Sequence, residues 1–219
     1  MEYSSQIGQD KFIDDFFDQK EGLTFLDIGA HDGISLSNTY FLEKERKWTG
    51  ICIEAQPLQF EKLKQNRSCI CINEAVSNFE GETSFTYVEG YEEGNYLSGI
   101  TSSFHHKHLK RIQNEVSEYG GVIKETKVPV RRVQSILDQY NIKKIDFCSI
   151  DTEGSEFEIV KSIDFKKTDI TVLIIENSFH AARLTDYMDK KGFYLLKKIK
   201  YDDIYVQKPK RKSRFWPFG

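Results

Sequence analysis

The sequence predicts an α/β protein with one open, mostly parallel sheet, a single antiparallel edge strand and helices on both faces of the sheet. Short apolar runs alternate with amphipathic helical stretches over most of the 219 residues. Several of these runs are apolar throughout, which is typical of strands buried on both faces of a parallel sheet. The last two runs are joined by a short connection, which predicts an antiparallel pair at one edge.

Each predicted element also rests on local signals. Pro57 suits the first turn of the helix after the second strand, and Gly192 suits the position just beyond the last helix. The predicted strands are Thr24–Ile28, Thr49–Glu54, Ser68–Asn73, Glu82–Val88, Ile145–Ile150, Ile170–Glu176, Phe193–Ile199 and Asp203–Val206. The predicted helices are Ser35–Lys44, Pro57–Gln65, Arg132–Tyr140, Glu156–Ser162 and Ala181–Lys191. Ligands bind such sheets at the carboxyl ends of the strands, so the polar residues that follow the apolar runs are candidates for a site.

A single domain is predicted over residues 1–207, with one long insertion and a basic tail. Residues 89–126 contain glycines and one predicted helix, Phe104–Glu118, and an insertion of this length is typically functional, often as a lid. Residues 208–219, KPKRKSRFWPFG, combine basic and aromatic side chains. They are interpreted either as a frayed terminus or as a segment that weakly contacts an acidic partner or a membrane surface.

Composition and charge argue against several classes of protein. A content of 39% hydrophobic and 13% aromatic residues, with four prolines, argues against a disordered chain. With 31 basic and 34 acidic side chains, the formal charge of −3 argues against a nucleic-acid-binding surface. No apolar run has the length of a membrane span, and the start does not resemble a secretory signal, so we expect a cytoplasmic location. Four cysteines in predicted strands, without a C-x-x-C pair, predict buried free thiols.

Residues 25–33, FLDIGAHDG, combine a strand, a glycine turn and the predicted start of a helix. Gly29 allows the backbone to approach a ligand, and Gly33 relieves crowding where the helix begins. A dinucleotide-binding loop has the pattern G-x-G-x-x-G, but His31 and Ile34 stand at its second and third glycines, which argues against a nicotinamide cofactor. Asp27 before the first glycine favours a positively charged ligand instead. A plain tight turn is the alternative.

Glu54 closes the second predicted strand, 27 positions after Asp27. An acidic side chain at this place can accept hydrogen bonds from both hydroxyls of a ribose. An N-terminal cap or a solvent-facing side chain is the alternative. The order and spacing of the two motifs indicate a pocket for a nucleoside that carries a positive charge.

These motifs resemble those of FkbM-type methyltransferases, a class I family that depends on S-adenosylmethionine. The similar segments are SSQIGQDKFI, DIGAHDG, IEAQP, NEAVSNFEGETSF, LSGITSSF, VPVRRVQSILDQY, IDFCSIDTEGSEFEIVKSIDF and VLIIEN. They extend over residues 4–206, and Gln9 replaces a Glu of the family pattern. The resemblance implies a Rossmann-like methyltransferase fold and S-adenosylmethionine as cofactor, bound by Gln6, Asp10, Asp27, Gly29, His31, Gly33, Glu54, Ala75, Val76 and Asp151.

The resemblance also implies methyl transfer, most often to a hydroxyl oxygen, which needs a general base close to that hydroxyl. Asp151 and Glu153, after the strand that ends at Ile150, and His180 are the candidates. Two neighbouring carboxylates can raise each other's pKa or can jointly hold a divalent cation. The candidate ligands of such a cation, Mg²⁺ or Mn²⁺, are Asp151, Glu153 and Glu176. A purely structural turn is the alternative.

His105, His106 and His108 share the predicted helix of the insertion, but no Cys or carboxylate stands at complementary spacing, which argues against a zinc site. The expected activity is S-adenosylmethionine-dependent O-methylation, with a sugar hydroxyl of a glycan or glycolipid as the preferred acceptor. A small natural product or a nucleic acid as acceptor, and a binding module without turnover, are the alternatives.

Overall fold

The computed structural model describes residues 2–91, 96–178 and 182–209, and its strands form two sheets. In chain order the strands are β1 (Thr24–Ile28), β2 (Thr49–Ile53), β3 (Ile70–Ile72), β4 (Ala75–Val76), β5 (Gly81–Glu89), β6 (Gly99–Ile100), β7 (Val122–Arg131), β8 (Lys144–Ile150), β9 (Asp169–Glu176), β10 (Phe193–Ile199) and β11 (Asp202–Gln207). The larger sheet has seven strands in the order β10-β11-β9-β8-β1-β2-β3. In it only β11 runs antiparallel to its neighbours, so the predicted mostly parallel sheet is confirmed.

Helices cover both faces of this sheet, as the sequence predicts. They are α1 (Gln9–Phe16), α2 (Tyr40–Arg46), α3 (Pro57–Asn66), α4 (His106–Tyr119), α5 (Val133–Gln139), α6 (Glu156–Lys161) and α7 (Ala182–Lys190). Apolar residues such as Ile13 of α1 and Leu63 of α3 pack on one face, and Ile136 of α5 and Met188 of α7 pack on the other. The first helix, α1, has no counterpart among the predicted elements.

The antiparallel strand lies one position inside the edge of the sheet, which corrects the predicted edge strand. The chain forms the hairpin β10–β11 as predicted, but its second strand inserts between β9 and β10. Residues 202–206 of β11 are all buried, whereas most side chains of β10 are exposed or half-buried. The greater burial of β11 follows from its inner position, where it pairs with a strand on each side.

A second, four-stranded sheet has the order β4-β7-β5-β6. The run Glu82–Val88, predicted as part of one sheet, belongs to β5 in this second sheet, because residues 81–89 pair continuously with residues 122–130 of β7. Strand β7 was not predicted, since its first half carries exposed side chains and forms no apolar run. The predicted helix of the insertion is confirmed as α4, with a start two residues later.

Helix α2 begins at Tyr40, not at Ser35 as predicted, and residues 33–39 form a loop. The carboxylate of Asp32 accepts hydrogen bonds from the backbone N–H groups of Ile34 (2.9 Å) and Ser35 (2.7 Å), which holds a turn in place of a helical start. Leu36 has a φ of 56°, outside the helical region. The free N–H groups of a helix start are therefore absent beside the glycine turn.

The four cysteines are free thiols, as predicted; Cys52 and Cys148 are buried, and Cys69 and Cys71 are half-buried. Among the described helices, none combines the length and the apolar character that a membrane span requires.

Candidate functional site

A cavity of about 680 Å³ opens at the carboxyl ends of the central strands of the larger sheet. Because β2, β1, β8 and β9 are neighbours, the polar residues at their ends lie in the same order across the cavity: Glu54, Asp27, Asp151 and Glu176. Residues predicted to bind a cofactor form much of its lining: Gln6, Asp27, Gly29, His31, Glu54, Ala75, Val76 and Asp151. The topology therefore brings together side chains that are far apart in sequence.

Gly29 directly follows β1, and its backbone lies in the left-handed region, with a φ of 88°. A Cβ atom at this position would lie 1.8 Å from the carbonyl oxygen of Asp151, so any side chain would push the ends of β1 and β8 apart. The N–H groups of Gly29 and Ala30 both donate to the carbonyl of Ile53. Glycine is thus required by the neighbouring strand end, and not by access of a ligand to these N–H groups.

Asp27 is a buried carboxylate on the cavity wall, with only 4% of its surface exposed. Its Oδ2 accepts a hydrogen bond of 2.5 Å from the hydroxyl of Thr39. Burial raises the pKa of Asp27, and the positive charge of Arg67 and the Thr39 bond oppose this shift.

Glu54 is buried directly after β2, and both of its carboxylate oxygens are engaged by backbone donors. Oε2 accepts the N–H of His31 at 2.9 Å, and Oε1 accepts the N–H of Gln56 at 2.7 Å. Burial raises the pKa of Glu54, and these bonds oppose the shift. Each carboxylate oxygen has a second lone pair, so Glu54 can still accept two hydroxyl groups of a ligand.

Two residues predicted to bind the cofactor do not line the cavity. Asp10 is fully buried, and its carboxylate accepts hydrogen bonds from the N–H groups of Ser4 (2.6 Å) and Ser5 (3.1 Å). It therefore fixes the N-terminal segment that brings Gln6 to the cavity. Gly33 lies against α3, because a Cβ at this position would be 2.6 Å from Cδ1 of Leu63.

Asp151 and Glu176 form an acidic end of the cavity, together with Asp202. The side chain of Asp151 is exposed to the solvent of the cavity. Desolvation by the surrounding protein, followed by the charges of Glu153 and Asp202, raises the pKa of Asp151 to about 8. Burial and the charge of Asp151 likewise raise the pKa of Glu176 well above its usual value.

Glu153 is tied to the insertion. One of its carboxylate oxygens lies 3.0 Å from Nδ1 of the buried His108, and the other lies 3.7 Å from Nη1 of Arg111. Both partners belong to α4, and no local sequence pattern indicates these contacts. Glu156 holds the turn itself, since its Oε1 accepts the N–H groups of Thr152 and Gly154.

The structure gives no support to the predicted divalent cation. Within residues 2–91, 96–178 and 182–209, no three His, Cys, Asp or Glu side chains are grouped so as to hold a metal ion. Among the predicted ligands, Glu153 is already paired with His108 and Arg111. His180, predicted as a catalytic base, lies outside the described residues.

Two buried polar atoms on the cavity wall suit a polar ligand. The ring of His31 stacks on Tyr96 with centroids 4.4 Å apart, and its Nε2 has no hydrogen-bond partner among the described residues. Asn38 donates from Nδ2 to Ser149 at 2.9 Å, while its Oδ1 likewise lacks a partner there. Buried polar atoms are almost always hydrogen-bonded, so both atoms fit the polar groups of a nucleoside or amino-acid ligand.

The fold is that of class I methyltransferases, a seven-stranded sheet with one inserted antiparallel strand, and a polar cavity lies at the strand ends beside the Asp-Ile-Gly turn. The chain belongs to the FkbM methyltransferase family, since the profile of the FkbM methyltransferase domain matches residues 27–195. The resemblance seen in the sequence is thereby confirmed.

Three solved structures are similar in fold. They are the methyltransferase FkbM from Methylobacillus flagellatus KT (15% identity, TM-score 0.48, 84% of this chain and 43% of that chain), precorrin-6y C5,15-methyltransferase from Geobacter metallireducens GS-15 (11%, 0.44, 91% and 87%) and the human methyltransferase 10 domain-containing protein (12%, 0.43, 94% and 83%). The present chain thus spans less than half of the Methylobacillus chain. No curated protein matches it in sequence.

Proposed function

We propose that this chain is an S-adenosylmethionine-dependent O-methyltransferase that methylates a hydroxyl group of a sugar. The observation that carries the proposal is the order of Glu54, Asp27 and Asp151 at the ends of three adjacent strands. Adjacent strands are about 4.8 Å apart, so the three carboxyl groups span roughly 10 Å. A nucleoside ligand bound at Glu54 and Asp27 can therefore bring its reactive end beside Asp151.

The cofactor would lie across β2 and β1. Glu54 can accept the two ribose hydroxyls, and the small side chains of Ala75 and Val76 line the neighbouring wall, where a flat adenine ring would fit. Asp27 is suited to a positively charged group of the cofactor. His31 Nε2 and Asn38 Oδ1 supply polar contacts in the same part of the cavity.

The cofactor, when bound, supplies a methyl group on a sulfonium with a good leaving group. The protein then has to align the acceptor hydroxyl and take its proton. Asp151 is the best candidate for this base, because it opens into the cavity and its pKa of about 8 gives a carboxyl group that exchanges protons near neutral pH. Glu153 is less suited, since His108 and Arg111 already engage its carboxylate.

The charges of the cavity support a neutral, hydroxyl-rich acceptor. Among the described lining residues there is one Lys or Arg side chain, Arg111, and there are seven acidic side chains: Asp27, Glu54, Glu74, Asp151, Glu153, Glu176 and Asp202. With a single described cation among these acidic side chains, the lining offers little attraction to phosphate groups, which argues against a nucleic-acid acceptor. Carboxylates accept hydrogen bonds from sugar hydroxyls, and Tyr201 on the same wall can pack against a sugar ring.

The test is methyl transfer from labelled S-adenosylmethionine by the full chain to pools of monosaccharides, oligosaccharides, small natural products and RNA. We expect label in a sugar pool, and an alkali-stable ether linkage in the product. Transfer to RNA alone would overturn the acceptor. Absence of calorimetric binding of both S-adenosylmethionine and S-adenosylhomocysteine by the folded protein would overturn the whole proposal.

A further inference from the structure

We propose that Arg67 is a positioning residue of the cofactor site, and that it acts on Asp27 through the hydroxyl of Thr39. The inference rests on the proposed function, because it assigns a positively charged group of the cofactor to Asp27. Arg67 does not line the cavity, and no sequence motif singles it out.

The three side chains form a short, directed chain of hydrogen bonds. Nη2 of Arg67 donates to Oγ1 of Thr39 at 2.9 Å, and this hydroxyl donates to Oδ2 of Asp27 at 2.5 Å. A guanidinium group has no acceptor, so the oxygen of Thr39 must accept from Arg67. Its single hydrogen is then free to point at Asp27, and the direction of the relay is determined.

Arg67 is itself held rigidly. Its side chain is fully buried, Nε donates to Glu43 at 2.6 Å, and the guanidinium lies 5.3 Å from the ring centroid of Phe25. Nη1 donates to the carbonyl of Gly33 at 3.2 Å. A buried charge that is paired and hydrogen-bonded on several sides keeps one geometry. The glycine at position 33 makes room for this side chain, since a Cβ would lie 2.7 Å from its Cγ.

The consequence for the site is an Asp27 side chain that is held in one position. Arg67, which does not line the cavity, holds the loop of residues 33–39 through its bonds to Gly33 and Thr39. Its charge also opposes the effect of burial on the pKa of Asp27, which favours the carboxylate form. A carboxylate held in one position binds a cation better than a mobile or protonated one.

The binding of two ligands distinguishes a positioning role of Arg67 from a general structural role. S-adenosylhomocysteine carries an ammonium group, whereas 5′-methylthioadenosine shares the adenine, the ribose and the sulfur but has no charged amino-acid part. Thr39→Val keeps the shape of the side chain and the Arg67–Glu43 pair, and it removes only the relay. By calorimetry we expect it to weaken S-adenosylhomocysteine binding about tenfold, as for loss of a bond to a charged group, and to change 5′-methylthioadenosine binding less than twofold.

Thr168→Val is the matched control. Thr168 is equally buried and its hydroxyl lies 3.4 Å from Gln134, in a position that does not line the cavity. We expect the control variant to bind both ligands as the unchanged protein does. Arg67→Met should weaken S-adenosylhomocysteine binding at least as much as Thr39→Val, and the double variant should lose no more than Arg67→Met alone, because the two residues act in series.

Equal losses for both ligands in Thr39→Val would show a structural role only and would overturn the proposal. Unchanged binding of both ligands would do the same, as would additive losses in the double variant. If Arg67→Met does not fold, Thr39→Val and its control decide the question. Failure of the unchanged protein to bind either ligand would instead refute the proposed function, and this inference with it.

Discussion

The two halves of the cavity handle buried negative charge in different ways. In the half formed by β1 and β2, protein donors already engage the carboxylates: Thr39 bonds to Asp27, and His31 and Gln56 bond to Glu54. In the half formed by β8 and β9, the charge of Glu153 raises the pKa of Asp151, and the charges of Asp151 and Glu153 raise the pKa of Glu176.

This difference assigns ligand binding to the first half and proton transfer to the second. A carboxylate that is fixed by backbone donors is preorganised for binding, because little entropy remains to be lost when a ligand arrives. Carboxylates that repel one another are stabilised by a proton or a nearby cation, so their protonation changes when a charged ligand binds. A positively charged cofactor next to Asp151 would favour its ionised form, which a base requires.

The largest expected effect is on turnover. It concerns the half formed by β8 and β9, where the acceptor would bind. Asp151→Asn keeps the size of the side chain but removes the base, so turnover should fall by about 10²–10⁴-fold. The affinity for S-adenosylhomocysteine should change less than threefold, because Asp151 serves the acceptor. Single-turnover rates and calorimetry on the same preparation measure both.

Glu153→Gln is the comparison variant, and we expect a smaller loss of turnover, since His108 and Arg111 engage that carboxylate. Full turnover in Asp151→Asn would contradict the assignment and would make His180 the next residue to change.

In the half formed by β1 and β2, where the cofactor would lie, the largest expected effect is on cofactor binding. Glu54→Ala removes an acceptor of two ribose hydroxyls and should weaken binding of S-adenosylmethionine by about 2–3 kcal/mol, or roughly 30–150-fold. Glu61→Ala, on the exposed surface of α3, is the control and should bind normally. A change below threefold in Glu54→Ala would mean that the ribose is bound elsewhere.

The pH dependence of catalysis sharpens the contrast between the halves. With a pKa of about 8 in the free protein, Asp151 is mostly protonated at pH 7 and ionised above pH 8. We therefore expect kcat/KM to rise between pH 6 and pH 9, and the rise to be absent in the residual activity of Asp151→Asn. A profile that is flat over this range in the unchanged protein would contradict the role of Asp151 as base.

The stability of the folded protein should fall over the pH range in which catalysis rises, because the same raised pKa of Asp151 governs both. The folded pKa of Asp151 lies above the value of an unfolded Asp, so between about pH 4 and pH 8 the folded state binds more protons and loses stability as the pH rises. Asp151→Asn should therefore raise Tm relative to the unchanged protein more at pH 9 than at pH 5. Scanning calorimetry at the two pH values measures this difference, and an equal shift at both would contradict it.

The smallest expected effect concerns motion of the insertion, residues 89–126, as a lid. Ile112 of α4 packs with Val88 and Leu97 in a small apolar cluster, which is far smaller than the core around β9. Hydrogen exchange in α4 should be faster than in β9 and should slow when S-adenosylhomocysteine and acceptor are added. Protection in α4 equal to that of β9 without ligand would argue against a lid.

Local patterns determined much of this protein. The apolar runs specify the strands of the large sheet and their burial on both faces, because a strand without a polar face has no stable exposed position. The Asp-Ile-Gly turn and Glu54 come directly after such runs, so their place at the strand ends follows from the run lengths alone. Asp27, Gly29 and Glu54, which these local signals predicted, line the cavity, and so do His31, Ala75 and Val76, which the family resemblance implied.

The tertiary structure decided what depends on partners distant in sequence. The inner position of β11 depends on its pairing with β9, which is distant in sequence, and β7 exists as a strand because β5 pairs with it. The pairing of His108 with Glu153 joins the insertion to the turn after β8. The link from Arg67 through Thr39 to Asp27 joins three elements whose residues show no shared pattern, because hydrogen bonds between distant segments leave no periodicity in the chain.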